Sequence, residues 1–154
     1  MTDGCTIRTA INTDAPAILA LTRAAYAKWV PLIGREPKPM TADYEAAVRN
    51  HQFGLLYLEG ELAALIEMIP QTDHLLIENV VVAPGHQRKG LGRKLLLHAE
   101  AVAKAGGYDE VRLYTNQRFE ENVRLYLRFG YHIFREEQHP TRGVAVHMKK
   151  PLAR

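Results

Sequence analysis

The sequence contains no serine and only one cysteine, Cys5, in 154 residues. The first absence excludes every mechanism that uses a serine nucleophile. The second excludes an internal disulfide and any Cys-x-x-Cys metal motif. The seven histidines show no HExxH or comparable ligand spacing, so we expect no metal site. Nothing in the surrounding sequence supports Cys5 as a nucleophile, and a small residue packed in a strand is the simpler interpretation.

Long apolar runs and long runs of one charge are also lacking. The stretch AILALTRAAYA is interrupted by Arg23 and is too short to cross a bilayer, and the N-terminus has no signal-peptide pattern. The formal net charge is +3, without a basic tail. We therefore expect neither membrane nor nucleic-acid binding, and with one cysteine a cytoplasmic protein. The length suits a single domain over residues 1–154.

Hydrophobic periodicity and turn residues predict a mixed α/β protein with the element order β-α-α-β-β-β-α-β-α-β-β. In the first half, CTIRTAI predicts a strand, and Thr13 or Asp14 is expected to cap a helix that runs to about Trp29. The proline-rich VPLIGREPKPM is expected to be irregular. Thr41 is expected to cap a short second helix, and a hairpin is expected around Glu59-Gly60.

The second half alternates strands and helices. HLLIENVVVAP and DEVRLYTN predict strands, and the last two strands are expected to pair. Between them, GLGRKLLLHAEAVAKAGG predicts a helix with Leu91, Leu95, Ala99 and Val102 on one face. FEENVRLYLRFG predicts another helix, which ends at Gly130.

The turn in VVVAPGHQRKGLGRKLL, residues 80–96, admits two interpretations. It is an ordinary strand-to-helix connection, or it is a cradle for an anion. The first turn of a helix presents unpaired N–H groups, and Gly90 and Gly92 would let a phosphate approach them. The turn lacks the Gly-Lys-Ser/Thr of a P-loop and the third glycine of a dinucleotide fingerprint.

Read as a whole, QRKGLG after VVVAP resembles the acetyl-CoA motif of the GNAT N-acetyltransferase superfamily, with Gln87, Gly90 and Gly92 at its defining positions. YTNQRFEENVRLYLRFGYHIFREE is similar to the second signature of that family, through Asn116 and the Leu-Tyr and Gly-Tyr pairs that include Tyr126 and Gly130. The resemblance implies a central, mostly antiparallel sheet flanked by helices. It also implies direct transfer of acetyl from acetyl-CoA to a primary amine of a small molecule or peptide.

The same resemblance implies which residues hold acetyl-CoA. Backbone amides from about Arg88 to Arg93 would bind the pyrophosphate, and backbone groups of the valine strand would pair with the pantetheine arm. The implied cofactor-binding residues are Val80, Val82, Gln87, Arg88, Lys89, Gly90, Leu91, Gly92, Arg93, Asn116 and Asn122. No metal is implied. Homodimers are common in the family, and the sequence leaves the oligomeric state open.

Two residues are expected to catalyse the transfer. Tyr126 would assist the departing thiolate, because a tyrosine with a pKa of ~10 carries its proton at neutral pH; the alternative is a core tyrosine. Glu78 would take the proton of the attacking amine. Strand alternation places it on the face of Val80 and Val82, and a structural or substrate-binding role is the alternative. Glu67 is the reserve base.

The acceptor is the least determined part of the prediction. In GNAT proteins it is bound by the first two helices, the loop between them and the last hairpin, which here contain Tyr26, Trp29, GREPKPM, Tyr44 and HPTRG. Arg35 and Glu36 in that loop either hold a charged substrate or belong to an ordinary surface loop. A second hypothesis is a non-catalytic module of the same fold that binds CoA or acyl-CoA.

Overall fold

A computed structural model describes residues 4–153, in which seven strands form one sheet with the order β1-β2-β3-β4-β5-β7-β6. Only β4 and β5 are parallel, so the sheet is mixed and mostly antiparallel, as predicted. Within this range, none of the helices combines the length and the apolar character that a membrane span requires. The elements are β1 (Cys5–Thr9), α1 (Ala15–Tyr26), α2 (Val30–Ile33), α3 (Tyr44–Asn50), β2 (Gln52–Leu58), β3 (Glu61–Pro70), β4 (Leu75–Val82), α4 (Leu91–Ala105), β5 (Glu110–Asn116), α5 (Glu120–Arg128), β6 (His132–His139) and β7 (Gly143–Pro151).

The sheet carries a hydrophobic core on each face, because successive strand residues point to opposite sides. Leu56 and Ile66 belong to the core under α4 and α5, whereas their neighbours Leu55 and Leu65 belong to the core under α1 and α3. The helical stripe predicted for α4 is confirmed, with Leu91, Leu95 and Ala99 buried and Val102 partly buried against the first core. Each such leucine contributes about 1.5–3 kcal/mol through burial.

Three local predictions for the first half need correction. Residues 30–33 are not irregular but form α2, a single turn that accommodates Pro31 in its first positions, where no N–H partner is needed. Asp43, not Thr41, caps α3, since its Oδ1 accepts the Ala46 N–H at 3.1 Å. Asp14 precedes α1 but does not cap it with its side chain; its carboxylate instead pairs with Arg8 at 2.8 Å.

The hairpin expected at Glu59-Gly60 is confirmed. Both residues have positive φ, 53° and 80°, which matches the twist of the flanking strands. β2 and β3 pair antiparallel on either side of it. The hairpin brings β3 beside β4, and these two strands carry Glu67 and Glu78.

A β-bulge in β4 overturns the predicted orientation of Glu78. β3 pairs Met68 with Ile77 and then Glu67 with Asn79, so Glu78 is the extra residue of the bulge. Alternation is lost at this point. Val80 and Val82 pack against the core under α4, whereas Glu78 and Asn79 both line a cavity on the opposite side, with Glu67. Glu78 therefore does not share a face with the two valines.

His98 of α4 lies against β2, where Gly54 makes room for it. A Cβ atom at Gly54 would stand 3.2 Å from the His98 ring, so any larger residue would displace the imidazole. The His98 side chain is partly buried, and burial lowers its pKa below the ordinary value of about 6.5. The folded protein thus favours the neutral imidazole.

We predict that His98 makes folding less stable in acid. Below a pH of about 6.5 the unfolded chain binds a proton at this side chain that the folded protein resists, so the free energy of unfolding should fall as the pH falls toward the lowered folded pKa. Urea unfolding at several pH values should show a smaller acid loss in His98→Met than in the wild type. The exposed His132→Met is the control. An acid loss of equal size in His98→Met and the wild type would contradict the prediction.

Candidate active site

The site begins where β4 and β5 part. The parallel pairing joins Leu75–Ile77 only to Val111–Leu113, and beyond these residues the two strands do not pair. The Ala83 N–H donates to the Ala63 carbonyl at 2.8 Å, and bonding residues alternate along an antiparallel pair. The backbone N–H and C=O groups of Val81 thus point toward β3. Those of Val80 and Val82 point into the gap between β4 and β5.

One cavity opens beside this gap, between β4 and the two helices that follow it; we call it the α4–α5 cavity. Its volume is about 520 Å³. It brings together nine of the eleven residues implied to bind the cofactor, namely Val80, Val82, Gln87, Arg88, Gly90, Leu91, Gly92, Arg93 and Asn122. The Gln87 side chain donates to the Val82 carbonyl at 3.4 Å and so lies at the exposed edge of the strand.

The start of α4 provides the donors of this cavity. Gly90 is the N-cap with φ 77°, a left-handed conformation that favours glycine, and no side chain caps the leading N–H groups of the helix. Arg88 also has positive φ, 66°. The unpaired N–H groups and the helix dipole create positive potential where Arg93 also contributes charge, which suits a phosphate group.

Arginines of α5 extend the positive charge and were missed by the sequence analysis. Arg124 and Arg128 line the same cavity, one helical turn apart. Their spacing was visible in FEENVRLYLRFG, but only the packing of α5 beside α4 shows that they face the turn at Gly90. The nearby acidic residue, Glu121, is already paired with Lys28 at 3.2 Å.

Two residues predicted to bind the cofactor lie elsewhere. Lys89 directs its Nζ toward His86 Nδ1 at 3.1 Å and does not line the cavity. The Asn116 side chain donates to the Arg142 carbonyl at 3.2 Å and accepts the Arg118 N–H at 2.9 Å. Asn116 therefore holds the β6–β7 turn and lines a second cavity instead.

Tyr126 lies deep in the α4–α5 cavity and belongs to the core as well. It is 6% exposed and stands edge-on to Tyr131, with ring centroids 6.1 Å apart. Among residues 4–153, no hydrogen-bond partner occupies its hydroxyl. Burial raises the pKa of Tyr126 well above its ordinary value, so the O–H keeps its proton throughout the neutral range. The group is a neutral donor available to the cavity.

The second cavity, of about 670 Å³, lies between α3, the loop after α2, and the ends of β5, β6 and β7; we call it the α3 cavity. Glu78 lines it and accepts hydrogen bonds from the Tyr114 hydroxyl at 3.0 and 3.1 Å. Of the residues expected to contact an acceptor, Tyr26, Tyr44, Arg35 and Arg142 line it. Trp29 instead lines the α4–α5 cavity, where it stacks on Phe119 at 4.5 Å.

Glu67, the reserve base, is almost fully buried at 5% exposure in the wall of the α3 cavity. Its Oε2 lies 2.6 Å from His51 Nδ1. Burial raises the pKa of Glu67, and the contact with His51 opposes that rise. Because Glu67 already has a partner, Glu78 is the carboxylate of the pair that is open to a ligand.

The two cavities meet at Tyr26, at the end of α1. Tyr26 lines both cavities, and its hydroxyl donates to Asn79 Oδ1. Asn79 is the residue that follows Glu78 in β4. Tyr126 lies on one side of this junction and Glu78 on the other. Ligands bound in the two cavities would meet there. The residues 4–153 contain no group of three or more His, Cys, Asp or Glu side chains placed to hold a metal ion.

Residues 18–131, well over half of the chain, match the sequence profile of the Acetyltransferase (GNAT) family. A curated relative, streptothricin acetyltransferase of Streptomyces lavendulae, is 33% identical over 75 residues, which is 47% of this chain and 40% of that protein. The chain thus aligns with less than half the length of that relative.

Solved structures of similar fold cover nearly the whole chain. The ribosomal-protein-S18-alanine N-acetyltransferase from Escherichia coli has a TM-score of 0.80 and 23% identity, over 97% of this chain and 95% of that one. A GNAT family acetyltransferase from Elizabethkingia anophelis with acetyl-CoA bound has a TM-score of 0.74 and 17% identity, over 97% and 99% of the two chains. At these identities the likeness concerns the fold.

Proposed function

Because the chain belongs to the GNAT acetyltransferase family, we propose that it transfers the acetyl group of acetyl-CoA directly to a primary amine of a small molecule or peptide. The observation that carries this proposal is the junction at Tyr26, where a cavity with phosphate-binding features meets a cavity with an open carboxylate. Direct transfer requires the two substrates to be held together in this way.

The α4–α5 cavity would bind acetyl-CoA. The leading N–H groups of α4, with Arg88 and Arg93, suit the pyrophosphate, and the bound acetyl-CoA of a structural relative supports this use of the fold. The peptide-like pantetheine arm would pair with the backbone groups that Val80 and Val82 direct into the gap, as an added strand does. These contacts would place the thioester near Tyr26 and Tyr126.

On the acceptor side, Glu78 would prepare the amine. An alkyl amine with a pKa of ~10.4 is almost wholly protonated at neutral pH and cannot attack. Glu78 would take one proton, directly or through a water molecule, and the nitrogen lone pair would then form the C–N bond to the thioester carbon. The hydrogen bonds from Tyr114 hold the carboxylate in place for this step.

On the donor side, Tyr126 would assist the collapse of the tetrahedral intermediate. The C–S bond breaks and leaves a thiolate, while the nitrogen loses its second proton to solvent. The Tyr126 O–H donates a hydrogen bond to the departing sulfur, and the thiol gains its proton as the tyrosine is reprotonated from solvent. The products are an amide, free CoA and one proton released overall.

We predict that Gly92→Glu weakens acetyl-CoA binding. Gly92 lines the α4–α5 cavity within the regular part of α4, so it avoids the strain that a side chain would meet at the left-handed Gly90. A carboxylate beside the pyrophosphate should weaken binding on the order of 100-fold, or about 3 kcal/mol. Trp29 is the only tryptophan of the chain and lines this cavity, so its fluorescence can report the titration.

The matched control for Gly92→Glu is Leu97→Glu, which adds the same charge to α4 at a side chain that is 49% exposed. It should bind acetyl-CoA like the wild type. Equal affinity in Gly92→Glu and Leu97→Glu, with both variants folded, would refute the phosphate site at the start of α4.

We predict that Tyr126→Phe lowers kcat by about 100-fold, the typical contribution of a general acid, with a small effect on the affinity for acetyl-CoA. The ring and its packing remain, and only the donor is lost. Release of free thiol from acetyl-CoA measures turnover. The control is Tyr108→Phe, which removes a hydroxyl that donates to the Gln71 carbonyl outside both cavities. Unchanged turnover in Tyr126→Phe would remove this residue from the mechanism.

We predict that Glu78→Gln lowers kcat/KM by about 100-fold near neutral pH and that the loss shrinks as the pH rises. Glutamine retains the hydrogen bond from Tyr114 but cannot accept the proton of the ammonium. At higher pH more of the amine is already neutral, so the base is needed less. Glu67→Gln should show a smaller kinetic effect. A larger loss of kcat/KM in Glu67→Gln than in Glu78→Gln would assign the role of base to Glu67.

A further inference from the structure

The α3 cavity contains charges of both signs, and most of its acidic groups already have partners. Glu67 contacts His51 at 2.6 Å, and Glu137 contacts His147 at 3.1 Å. Asp43 accepts the N–H of Ala46 as the cap of α3. Within residues 4–153 the remaining carboxylate of the cavity, Glu78, has only the neutral Tyr114 hydroxyl as a partner.

Three basic side chains that line the cavity, by contrast, lack a carboxylate partner among the described residues. Arg35 and Lys38 come from the loop after α2, and Arg142 from the β6–β7 turn. In the described part of the chain none of the three forms an ion pair with a carboxylate. Arg35 donates to the Arg142 carbonyl at 3.3 Å, which joins the two segments into one basic rim. We use this name for Arg35, Lys38 and Arg142.

One cavity therefore presents an open carboxylate on the sheet and an open basic rim on its loops. Lys38 and Arg142 are exposed and Arg35 is half-buried, so the basic rim is accessible to an anionic group. Such a group would gain charge-assisted hydrogen bonds there while an ammonium at the other end of the ligand faces Glu78. The cavity volume of about 670 Å³ lies within the range of small-molecule sites. A neutral or wholly cationic ligand would satisfy Glu78 and leave the basic rim unmatched.

We infer that the acceptor is an amine that also carries an anionic group, a carboxylate or a phosphate, which the basic rim binds while Glu78 faces the ammonium. This inference rests on the proposed acetyl transfer and adds the class of substrate to it. An amino acid, a short peptide with a free carboxylate and an aminoalkyl phosphate share this chemistry. Arg35 and Arg142 would determine specificity, and Glu78 would act on the reacting nitrogen.

The test compares acceptors that differ only in the distal group. The probes are ω-aminoalkanoates of increasing length, their neutral amides, and aminoalkyl phosphates of similar length. For at least one length, kcat/KM for an anionic acceptor should exceed that for the amide by about 10-fold or more, the contribution of one charge-assisted hydrogen bond. Preference for the carboxylate or for the phosphate identifies the anion, and either supports the inference. Equal or better use of the amides at every length overturns it.

Variants of the basic rim then locate the preference. Arg142→Gln, and Arg35→Gln as a second variant, should reduce the ratio of kcat/KM for the anionic acceptor to kcat/KM for its amide toward 1. Both variants should keep the wild-type affinity for acetyl-CoA, measured by Trp29 fluorescence. Arg49→Gln, an exposed α3 residue outside the cavity, should keep the wild-type ratio. A wild-type ratio in both rim variants overturns the assignment of the rim.

Calorimetry separates this inference from the proposed function. The same probes are titrated into the protein loaded with CoA, where no transfer occurs. Tighter binding of anionic amines than of amides, without acetylation of any amine, would contradict acetyl transfer and support the inference about the ligand. Binding that does not favour the anionic amines, or no binding of any probe, would overturn the inference even where acetylation of neutral amines is observed.

Discussion

Between β4 and β5 the backbone hydrogen bonding stops after Ile77 and Leu113, and this interruption positions everything that the site contains. An unpaired strand inside a sheet leaves N–H and C=O groups that need partners. Here they belong to Val80 and Val82, of which the Val82 carbonyl accepts the Gln87 side-chain amide at 3.4 Å. The gap also lets the helix after β4 begin beside these groups. The proposed acetyl-CoA, with a peptide-like arm and a pyrophosphate, would find partners for both along one line of backbone.

The bulge at Glu78 has an equally specific effect, because it lets two consecutive polar residues face the same side of the sheet. Ile77 packs in the core under α4, so regular alternation would direct Asn79 into that apolar core, at a high desolvation cost. With it, Glu78 and Asn79 face the α3 cavity, and Val80 resumes the packing against α4. A single inserted residue thus lets one strand serve an apolar core, a backbone recognition edge and a polar cavity.

Features that depend on local information could be predicted from the sequence. The helical repeat of Leu91, Leu95 and Ala99 needs only the period of the helix, and the glycine-bearing turn at Gly90 is read within a few residues. Contacts between distant segments could not be predicted in this way. The contact between Arg35 and Arg142 joins residues 107 positions apart, and Tyr114 meets Glu78 across 36. Such neighbours follow from strand order and register, which hydrophobic patterns do not specify.

Tyr26 belongs to the walls of both cavities, and its hydroxyl is tied to Asn79. Any displacement of this ring by a ligand in one cavity alters the shape that a ligand meets in the other. Thermodynamic linkage makes that influence equal in both directions, whichever ligand arrives first. A ligand that moves the Tyr26 ring in one cavity would therefore change the affinity of the other cavity, by the same factor in either order of binding.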